Sequence, residues 1–416
     1  MPYFDLKADL SWEDITIRDT VHKFAKEVVR PVTRELDRMT AQEAIAPNSP
    51  LYDLYAKSYE LGYHKMLFPE SLGGPGFTPA QKAIFLEELA WGSFGFAVGL
   101  GVAPMPFYFL LATGNQELIE EFVIPFLNCT DGSMRGCWAI TEPNHGTDAA
   151  HVEDPLLSQP GVKADLRARE DGDYLVINGQ KSAWVSGATI ATHAIVHMQL
   201  DDSMGLAGSG IAFMPLSLPG ISKGGPLEKL GQRDLNQGEL FFDDVRIPKK
   251  WLLLGPDMYK MAISMVLGHA NLNMAICSTG LARAAFDESL HWVKERVQGG
   301  KLLIEHDTTK QRIFTMFARV ETCRALSRAV ANVNFDNPAP MTEYSIAAKI
   351  TATELCYQNA HDAIQLHGGY GLTREYFVEK LFRDARATLI EDGTTETLAK
   401  KGGYYLMDLY PRLNKL

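Results

Sequence analysis

The feature that most constrains this chain is a series of long helical patterns toward its C-terminal end. Amphipathic stretches, with apolar residues recurring every three or four positions, cover 257–295, 306–335, 341–367 and 375–400. Because each such helix must bury one apolar stripe, helices of this length need one another as packing partners. Their number and length are typical of a four-helix bundle. We therefore predict a C-terminal domain of this kind over 253–416.

The middle of the chain has the shorter periodicity of strands. Residues 174–177 are apolar and lead into Asn178-Gly179, a pair typical of a hairpin turn, with 181–186 as the returning strand. Further strand patterns, separated by clusters of Gly and Pro, lie at 195–198, 210–214 and 238–243. The expected domain is a β-barrel or β-sandwich over 136–252.

The first third of the chain returns to helical spacing. Apolar side chains recur at Ile17, Val21, Phe24 and Val28, and a second helical pattern leads into the small, apolar segment that ends at Pro104. We predict an all-helical N-terminal domain over 1–135. The whole chain is then an α+β protein, with three domains in the order helical, β, helical.

Net charge and cysteine spacing exclude several classes of function. The formal charge of -11 argues against nucleic acid and against an anionic membrane surface as partners. The five cysteines lie far apart without a C-x-x-C pair, which predicts reduced, buried thiols and no metal site. No apolar run approaches the length that spans a bilayer, and no signal peptide opens the chain. We expect an intracellular, soluble protein.

The last three residues are relevant to the cellular compartment of the protein. Asn414-Lys415-Leu416 is a loose variant of the peroxisomal S-K-L address, although a frayed chain end is the simpler interpretation. We expect a cytoplasmic protein if the source is bacterial. A peroxisomal or mitochondrial location stays open as the alternative.

Four stretches of sequence narrow the function. They read WAITEPNHGTD at 138–148, GQKSAWVS at 179–186, RVQGGKLL at 296–303, and QLHGGYG at 365–371 followed by EKLFRDAR at 379–386 and DGT at 392–394. In this order and at this spacing they resemble the motifs of the acyl-CoA dehydrogenase superfamily over nearly the whole chain. The resemblance implies an FAD cofactor and oxidation of an activated small molecule at a carbon–hydrogen bond.

The first two stretches are implied to hold the flavin ring. The ring needs hydrogen-bond partners along one edge and apolar or aromatic walls elsewhere. The implied contacts are Trp138, Ile140, Thr141, Thr147, Trp184 and Ser186. Trp184 is expected against the ring and the Ser186 hydroxyl near flavin N5. A Trp in a β segment is more often a core residue, but its pairing with Ser186 favours the flavin contact.

The later stretches are implied to bind the diphosphate and the adenosine of FAD. An Arg gives phosphate two parallel hydrogen bonds, and glycines let backbone N–H groups approach it. The implied set is Arg296, Gln298, His306, Gln365, Gly368, Gly369, Thr394 and Glu396. The resemblance assigns Arg296 and the segment 365–369 to different subunits, so that FAD bridges a dimer interface in a homodimer or homotetramer. A simple helix cap is the alternative for Gly368-Gly369.

The catalytic base of the superfamily is a carboxylate in a Y-E-G-T motif near the C-terminus. The spacing from Arg383 has the family's length without a gap, which assigns Glu391 to the Tyr position and Asp392 to the base position. Asp392 is the predicted base, with a reach about 1.5 Å shorter than that of Glu. Glu391 cannot simply substitute, because adjacent residues point in different directions. The alternative is that Asp392 only caps a helix and that catalysis is absent.

The implied substrate site is largely apolar. The residues assigned to it are Phe94, Val98, Thr147, Ala270, Asn271 and Gly393. Ala270 stands where branched-chain relatives carry a second base, and Asn271 stands where many relatives carry an Arg. Because the segment 94–101 offers no charge, we expect an apolar or alicyclic acyl group rather than a dicarboxylic one. Ordinary helix packing is the plain alternative for these residues.

Three functions are consistent with these patterns. The first, which we favour, is α,β-dehydrogenation of an acyl-CoA thioester, with an electron-transfer flavoprotein as the acceptor. The second is a flavin oxidase resembling nitroalkane oxidase, or a flavin monooxygenase, although Ala399 replaces the Arg of nitroalkane oxidase. The third is a non-catalytic protein that FAD stabilises, which the intact flavin motifs weaken.

Overall fold

The computed structural model describes residues 10–413, and the chain begins with helices. Helix α1 (Trp12–Phe24) continues through a π-helical turn at Ala25–Val29 into α2 (Arg30–Leu36). This wide turn directly precedes Pro31, which has no N–H to donate to the helical ladder. The other helices are α3 (Ala41–Ala44), α4 (Pro50–Glu60), α5 (Pro79–Gly92), α6 (Phe94–Val102), α7 (Met105–Ala112), α8 (Gln116–Leu118) and α9 (Ile124–Asn128).

The middle segment forms an eight-stranded sheet. Its strands are β1 (Gly136–Ala139), β2 (Arg167–Asp171), β3 (Tyr174–Ser186), β4 (His193–Gln199), β5 (Ser209–Pro215), β6 (Ile221–Lys223), β7 (Gln237–Pro248) and β8 (Leu252–Leu254). The order is β6-β7-β3-β2-β4-β5-β8, and β1 pairs with β4 in parallel. The strands predicted at 195–198, 210–214 and 238–243 correspond to β4, β5 and β7, so the predicted β segment is confirmed.

The hairpin predicted at Asn178-Gly179 is wrong. Strand β3 runs through this pair without turning, and the chain reverses at Gly172, between β2 and β3. The pairing of β3 with β7 shifts register at Gly179, which has a φ of 131°. Asn-Gly suits a β-bulge as well as a turn, because both need a backbone conformation that glycine adopts without strain.

The last part of the chain is helical, with one small hairpin. It contains α10 (Pro256–Glu295), β9 (Val297–Gln298), β10 (Lys301–Leu302), α11 (Asp307–Asn334), α12 (Thr342–His367), α13 (Val378–Thr388) and α14 (Thr395–Leu413). The stretch 375–400, predicted as one helix, is two helices separated by the loop 389–394. Within this loop Asp392 and Gly393 have positive φ values of 50° and 103°, which a helix cannot contain.

Helix α10 is the central element, and it packs against α5, α11 and α12. Buried ion pairs join these helices: Arg283 on α10 contacts Glu87 on α5 at 2.9 Å, and Arg324 on α11 also reaches Glu87 at 2.9 Å. Burial by itself raises the pKa of Glu87, but the two guanidinium groups hold that pKa below its usual value. The N-terminal helices are therefore fixed against the bundle by charge as well as by apolar packing.

Two apolar segments are longer than we expect from the sequence. Phe94–Ala112 and Pro256–Glu295 are long and apolar enough to cross a membrane, so the expectation that no run approaches that length is wrong. The first is broken between α6 and α7, and both are mostly buried, as core helices of soluble proteins are. All five cysteines are free and buried, as predicted. The tripeptide 414–416 lies outside the described residues.

Candidate active site

The loop 389–394, between α13 and α14, carries the predicted base. Asp392 is partly buried in the left-handed region, at a φ of 50°, a conformation that costs energy for a residue with a Cβ. Its carbonyl oxygen accepts a hydrogen bond from Asn271 Nδ2 at 3.4 Å. Among the described side chains, none donates a hydrogen bond to its carboxylate. The Asp392 carboxylate is thus available to a ligand.

Neighbouring residues of the same loop are tied down from three other elements. Lys349 Nζ, on α12, donates to the Gly393 carbonyl at 2.8 Å. Gln232 Nε2 donates to Glu391 Oε1 at 2.6 Å. The Thr394 backbone N–H donates to Thr147 Oγ1 at 3.4 Å. Together with Asn271 on α10, these contacts hold each residue from 391 to 394.

The two adjacent acids of the loop have raised pKa values for the same main reason. Burial raises the pKa of Glu391 to about 7, although the Gln232 hydrogen bond acts in the opposite direction. Burial also raises the pKa of Asp392, and the charge of Lys349 lowers it in part. Burial lowers the pKa of Lys349 itself to about 8, against the attraction of both acids. Of the two acids in this loop, Glu391 is therefore the one with a pKa near neutral pH.

The helix cap at the start of α14 is formed by Thr394. Thr394 Oγ1 accepts a hydrogen bond from the Thr397 backbone N–H at 3.4 Å, as an N-cap side chain does. Asp392 makes no such bond within the part of the chain that the structure describes. This geometry disfavours the alternative in which Asp392 serves only as a cap. Glu396 follows on the first turn of α14 and is exposed.

Residues predicted to face the flavin ring lie together on β3 and on the segment after β1. Trp184 is 60% exposed, which is unusual for so large an apolar side chain in the middle of a sheet. Ser186, two positions on and on the same face, is half-buried. Thr141 joins this face through a hydrogen bond of 2.7 Å between its hydroxyl and that of Ser182.

Trp138 and Ile140 belong to a buried polar network behind that face. Trp138 Nε1 donates to His197 Nε2 at 2.7 Å, and His197 Nδ1 lies 2.9 Å from the Tyr259 hydroxyl. The Ile140 carbonyl accepts from Lys181 Nζ at 3.0 Å. The half-buried Trp138 side chain is thus held by His197, and its backbone lies in the strand that pairs with β4.

Two connections link the β3 face to the base loop. The first is Thr147, which reaches Thr394 directly. The second is the segment between β6 and β7, which holds Glu391 through Gln232 and reaches Ser186 through Gln237 Nε2 at 3.1 Å. The segment 232–237 thus connects Ser186 to the loop that carries Asp392, and together these residues form one connected region. We call this region the reaction end.

The predicted diphosphate residues form a second group, around the end of α10. The Arg296 guanidinium carbon lies 5.3 Å from the Tyr370 ring, and Nη2 donates to Gln298 Oε1 at 3.3 Å. His306 Nε2 lies 3.0 Å from the Gln298 carbonyl oxygen. Among the described side chains no carboxylate pairs with Arg296. We call this group the diphosphate end.

The glycines of the diphosphate end are open to solvent. Gly368 has a φ of 59° and caps α12, so the cap predicted as an alternative is present. Gly369 is not needed for that cap, and a Cβ on either glycine would meet nothing within 4 Å. Gln365, one turn earlier, is also exposed.

The assignment of Arg296 and 365–369 to different subunits is wrong, because they are neighbours in one chain. Besides the contact of Arg296 with Tyr370, Trp292 Nε1 donates to the Leu366 carbonyl at 3.0 Å. The diphosphate end is instead far from the reaction end of the same chain. Asn271 and Arg296 are 25 positions apart along α10, which is about 37 Å in a continuous helix.

Comparisons with known proteins show the family of this chain. Models of the acyl-CoA dehydrogenase N-terminal, middle and C-terminal domains match residues 11–129, 137–245 and 260–402. The mitochondrial short-chain specific acyl-CoA dehydrogenase of Rattus norvegicus is 31% identical over 382 residues, which is 91% of this chain and 86% of that protein. The chain belongs to the acyl-CoA dehydrogenase family.

Two further relatives are similar to this chain over most of its length. The structure of butyryl-CoA dehydrogenase from Megasphaera elsdenii matches this dehydrogenase with a TM-score of 0.84 and 26% identity, over 97% of this chain and all of that one. The caffeyl-CoA reductase-Etf complex subunit CarC of Acetobacterium woodii is 29% identical over 83% of this chain and 86% of that protein. The protein is accordingly an FAD-dependent oxidoreductase that dehydrogenates acyl-CoA.

The residues of this dehydrogenase fit FAD at both ends. At the reaction end, the exposed Trp184 offers a large apolar face beside the polar Ser186. At the diphosphate end, Arg296 has no competing carboxylate, and the open glycines give phosphate oxygens access to backbone N–H groups. An exposed tryptophan and an Arg without a carboxylate partner are features that a bound ligand would explain.

The predicted acyl-chain residues differ in burial. Phe94 is fully buried in the main core, whereas Val98, one turn later on α6, is partly exposed, as is Ala270 on α10. Asn271 is fully buried, and its Oδ1 has no hydrogen-bond partner among the described residues. An unsatisfied buried acceptor of this kind is costly unless a ligand or water completes it.

Several polar residues of the reaction end were missed from the sequence. Lys229, Gln232 and Gln237 lie on one stretch that is distant along the chain from Ser186, Glu391 and Lys349, and no motif joins them. Lys349 alone carried a signal, as a single cation within the apolar stretch of α12. A buried Lys requires a partner, but the sequence does not specify that the partner is the Gly393 carbonyl.

Proposed function

We propose that this acyl-CoA dehydrogenase uses Asp392 to remove the α proton of an apolar or alicyclic acyl thioester. Bound FAD supplies the acceptor, at N5, for the hydride that leaves the β carbon. The observation that carries the proposal is an uncommitted, partly buried carboxylate on a strained loop that is held by four hydrogen bonds, three of them to its backbone. Strain of this kind persists at sites where function requires one geometry.

The surroundings of Asp392 suit a general base. A carboxylate is an efficient base when its pKa approaches the working pH, and burial moves the Asp392 pKa in that direction. The charge of Lys349 opposes this rise, because a nearby cation favours the ionised carboxylate. The Asp392 side chain is one methylene shorter than that of Glu, so its reach depends on where its Cα is held. Asn271 and Lys349 fix the backbone at this point and so compensate for the shorter side chain.

Glu391 is the competing carboxylate, because its pKa of about 7 also suits a base. Its Oε1, however, accepts the hydrogen bond from Gln232 at 2.6 Å, and Gln232 in turn is tied to α13 through Asp384. We therefore assign Glu391 a positioning role for the loop. In this assignment it holds the residue before Asp392 and does not contact the substrate.

The substrate class follows from the residues proposed to line the acyl chain. Helix α6, with the sequence FGFAVGLGV, presents no charged side chain, and Asn271 offers a neutral amide. A dicarboxylic acyl group would leave its distal carboxylate without a cation in this lining. A straight, branched or alicyclic hydrocarbon group meets no such penalty.

The two ends of the FAD site are proposed to come from different copies of the chain. Ring and diphosphate are joined by a ribityl chain of about seven bonds, which spans roughly 8 Å at about 3.6 Å for three bonds. The reaction end and the diphosphate end of one chain are about 37 Å apart along α10. One FAD cannot reach both, so we infer a homodimer or homotetramer in which Arg296 and Gly368 serve a neighbour's flavin.

An electron-transfer flavoprotein is the proposed oxidant of the reduced enzyme. The relative from Acetobacterium woodii is named as a subunit of a reductase-Etf complex and covers most of this chain. We extend that type of acceptor to this dehydrogenase by similarity. Oxygen is the acceptor in the competing oxidase function, which the following experiment separates.

The experiment is anaerobic reduction of the yellow holoprotein by a panel of acyl-CoA thioesters. The panel contains straight, branched, alicyclic and dicarboxylic acyl groups, and loss of flavin absorbance is followed. We expect bleaching by the apolar and alicyclic thioesters and little by the dicarboxylic one. Turnover of nitroalkanes in air with no response to any thioester would instead support an oxidase. Retained FAD with no response to either would support a non-catalytic protein.

A further inference from the structure

The Ser186 hydroxyl is the last member of a chain of hydrogen bonds that begins at Lys229 and passes through Gln237. Lys229 Nζ donates to Gln237 Oε1 at 2.9 Å and to the Leu235 carbonyl at 2.6 Å. Gln237 Nε2 then donates to Ser186 Oγ at 3.1 Å and to the Trp184 carbonyl at 3.3 Å. Gln237 is buried, and it pairs with Ser186 across β3 and β7.

The chemistry of these groups fixes the direction of every bond. An ammonium group only donates, so the Gln237 atom that faces Lys229 must be the carbonyl oxygen. The Gln237 amide nitrogen then faces Ser186, and both of its hydrogens are used, by Ser186 Oγ and by the Trp184 carbonyl. Ser186 Oγ therefore accepts a hydrogen bond from Gln237. The hydroxyl hydrogen of Ser186 is then free to point toward the exposed face beside Trp184.

We propose that Lys229 and Gln237 form a polarity relay that fixes the Ser186 hydroxyl as an outward hydrogen-bond donor to the flavin. This inference rests on the proposed function, because it takes Ser186 as a flavin contact. Gln237 and Lys229 are positioning residues, since they act through Ser186 and touch no cofactor. Accepting one hydrogen bond strengthens a hydroxyl as a donor, so the relay both orients and strengthens the contact.

The relay also joins the flavin face to the base loop. Burial lowers the pKa of Lys229 to about 8, while Glu391, Asp234 and Asp384 favour its charged form. The same segment holds Glu391 through Gln232. One stretch of the chain, 229–237, thus orients the Ser186 donor and also holds Glu391, the residue before the proposed base.

The test is a double-mutant cycle on FAD affinity, with Gln237→Met and Ser186→Ala. Met is close to Gln in length and shape but neither donates nor accepts in this relay. FAD release from the holoprotein is measured by equilibrium dialysis, together with the absorption spectrum of the retained flavin. We expect Gln237→Met to weaken FAD binding roughly 3- to 10-fold, the range for loss of one hydrogen bond, and to shift the spectrum. In the Ser186→Ala background it should change neither quantity further.

Two additional variants keep the result interpretable. Lys229→Met removes the donor that orients Gln237, and it should repeat the effect of Gln237→Met only when Ser186 is present. Gln180→Leu is the matched control, because Gln180 bridges β3 to Glu239 on β7 at 2.9 Å without contacting Ser186. It should leave FAD affinity and spectrum unchanged, and thermal unfolding checks that each variant is folded.

Each outcome bears on a different claim. If Ser186→Ala itself leaves FAD affinity and the spectrum unchanged, Ser186 is not a flavin contact and the proposed site is at fault. If Ser186→Ala weakens FAD but Gln237→Met does not, the flavin contact stands and the relay is refuted. Equal effects of Gln237→Met with and without Ser186 would mean that Gln237 only ties β3 to β7.

Discussion

The two ends of the proposed FAD site differ in how much a single chain completes. At the reaction end, each residue from 391 to 394 is held by a side chain from another element, such as Lys349 on Gly393. At the diphosphate end, the Arg296 guanidinium contacts Gln298 and aromatic rings among the described residues, and Gly368 and Gly369 face open space. One end is fixed by the fold, and the other is open to a ligand.

This difference is informative about what each end must do. Proton removal requires a base held in one geometry before the substrate arrives, since small misplacements cost rate. Holding a diphosphate requires accessible donors, and those are satisfied only when the anion binds. A fold that completes the first end within one chain and leaves the second open is suited to sharing FAD between copies.

The largest expected effect is at the reaction end, from Asp392→Asn. Loss of the base should slow anaerobic flavin reduction by a thioester by roughly 10²- to 10⁴-fold, while FAD stays bound, because Asn keeps the shape but cannot accept the proton. Stopped-flow reduction measures the rate. Glu391→Gln is the matched control and should retain most of the rate. The opposite pattern, with Glu391→Gln inactive and Asp392→Asn active, would exchange the roles of the two acids.

The next effect is at the diphosphate end, from Arg296→Ala. Removing a charged hydrogen-bond donor should weaken FAD binding roughly 10- to 100-fold while the rate of reduction at saturating FAD changes little. Equilibrium dialysis of the holoprotein gives the affinity. Arg246→Ala, which removes a half-exposed Arg paired with Asp171 on the sheet surface, is the control. Full FAD retention by the Arg296 variant would contradict the assigned role.

A third variant, Lys349→Met, weakens the fixed end without removing the base. It removes the support of the Gly393 carbonyl and the charge that lowers the Asp392 pKa, so that pKa should rise further. We expect flavin reduction roughly 10-fold slower at neutral pH and recovering as pH increases, because more of the base is then ionised. The pH profile of the reduction rate checks this. Lys310→Met, at an exposed ion pair on α11, should leave the profile unchanged.

The smallest effect concerns stability and Glu391. Burial raises its pKa from 4.5 to about 7 in the folded chain, so the folded state holds the proton more tightly than the unfolded state. The contribution of Glu391 to stability is therefore full below about pH 4.5 and is lost as pH rises through about 7. Between about pH 4.5 and pH 7, the urea concentration at half-unfolding should therefore fall less in Glu391→Gln than in the unmutated protein. An identical pH dependence in both proteins would show that Glu391 is not buried as described.

The order of helical and β segments was predictable from the sequence because periodicity reports which face of an element is buried. The errors fell where one local signal has two structural uses. Asn178-Gly179 is a bulge in place of a turn, because both need glycine's conformational freedom. The stretch 375–400 kept a helical pattern, yet the interactions of Gln232 and Lys349 stabilise a break that local propensity does not predict.

Only part of the candidate site was predictable from the sequence. Motifs gave candidates such as Arg296 and Ser186, since those residues stand in recognisable local contexts. They gave no view of the residues behind them, because Gln237 and Lys229 meet Ser186 only through the folded sheet. The assignment of Arg296 and 365–369 to separate subunits failed for the same reason, as the packing of α10 on the end of α12 is tertiary.

Co-expression of two defective chains tests most directly whether the reaction end of one copy and the diphosphate end of another form a single site. Asp392→Asn and Arg296→Ala chains carrying different tags are purified as mixed oligomers and assayed for thioester-driven flavin reduction at an FAD concentration too low for Arg296→Ala alone. If the ends are shared between copies, about half of the sites in the mixed pairs should be active, since one site of each pair carries both defects and the other carries neither. Activity no higher than that of the two parents would contradict the shared site.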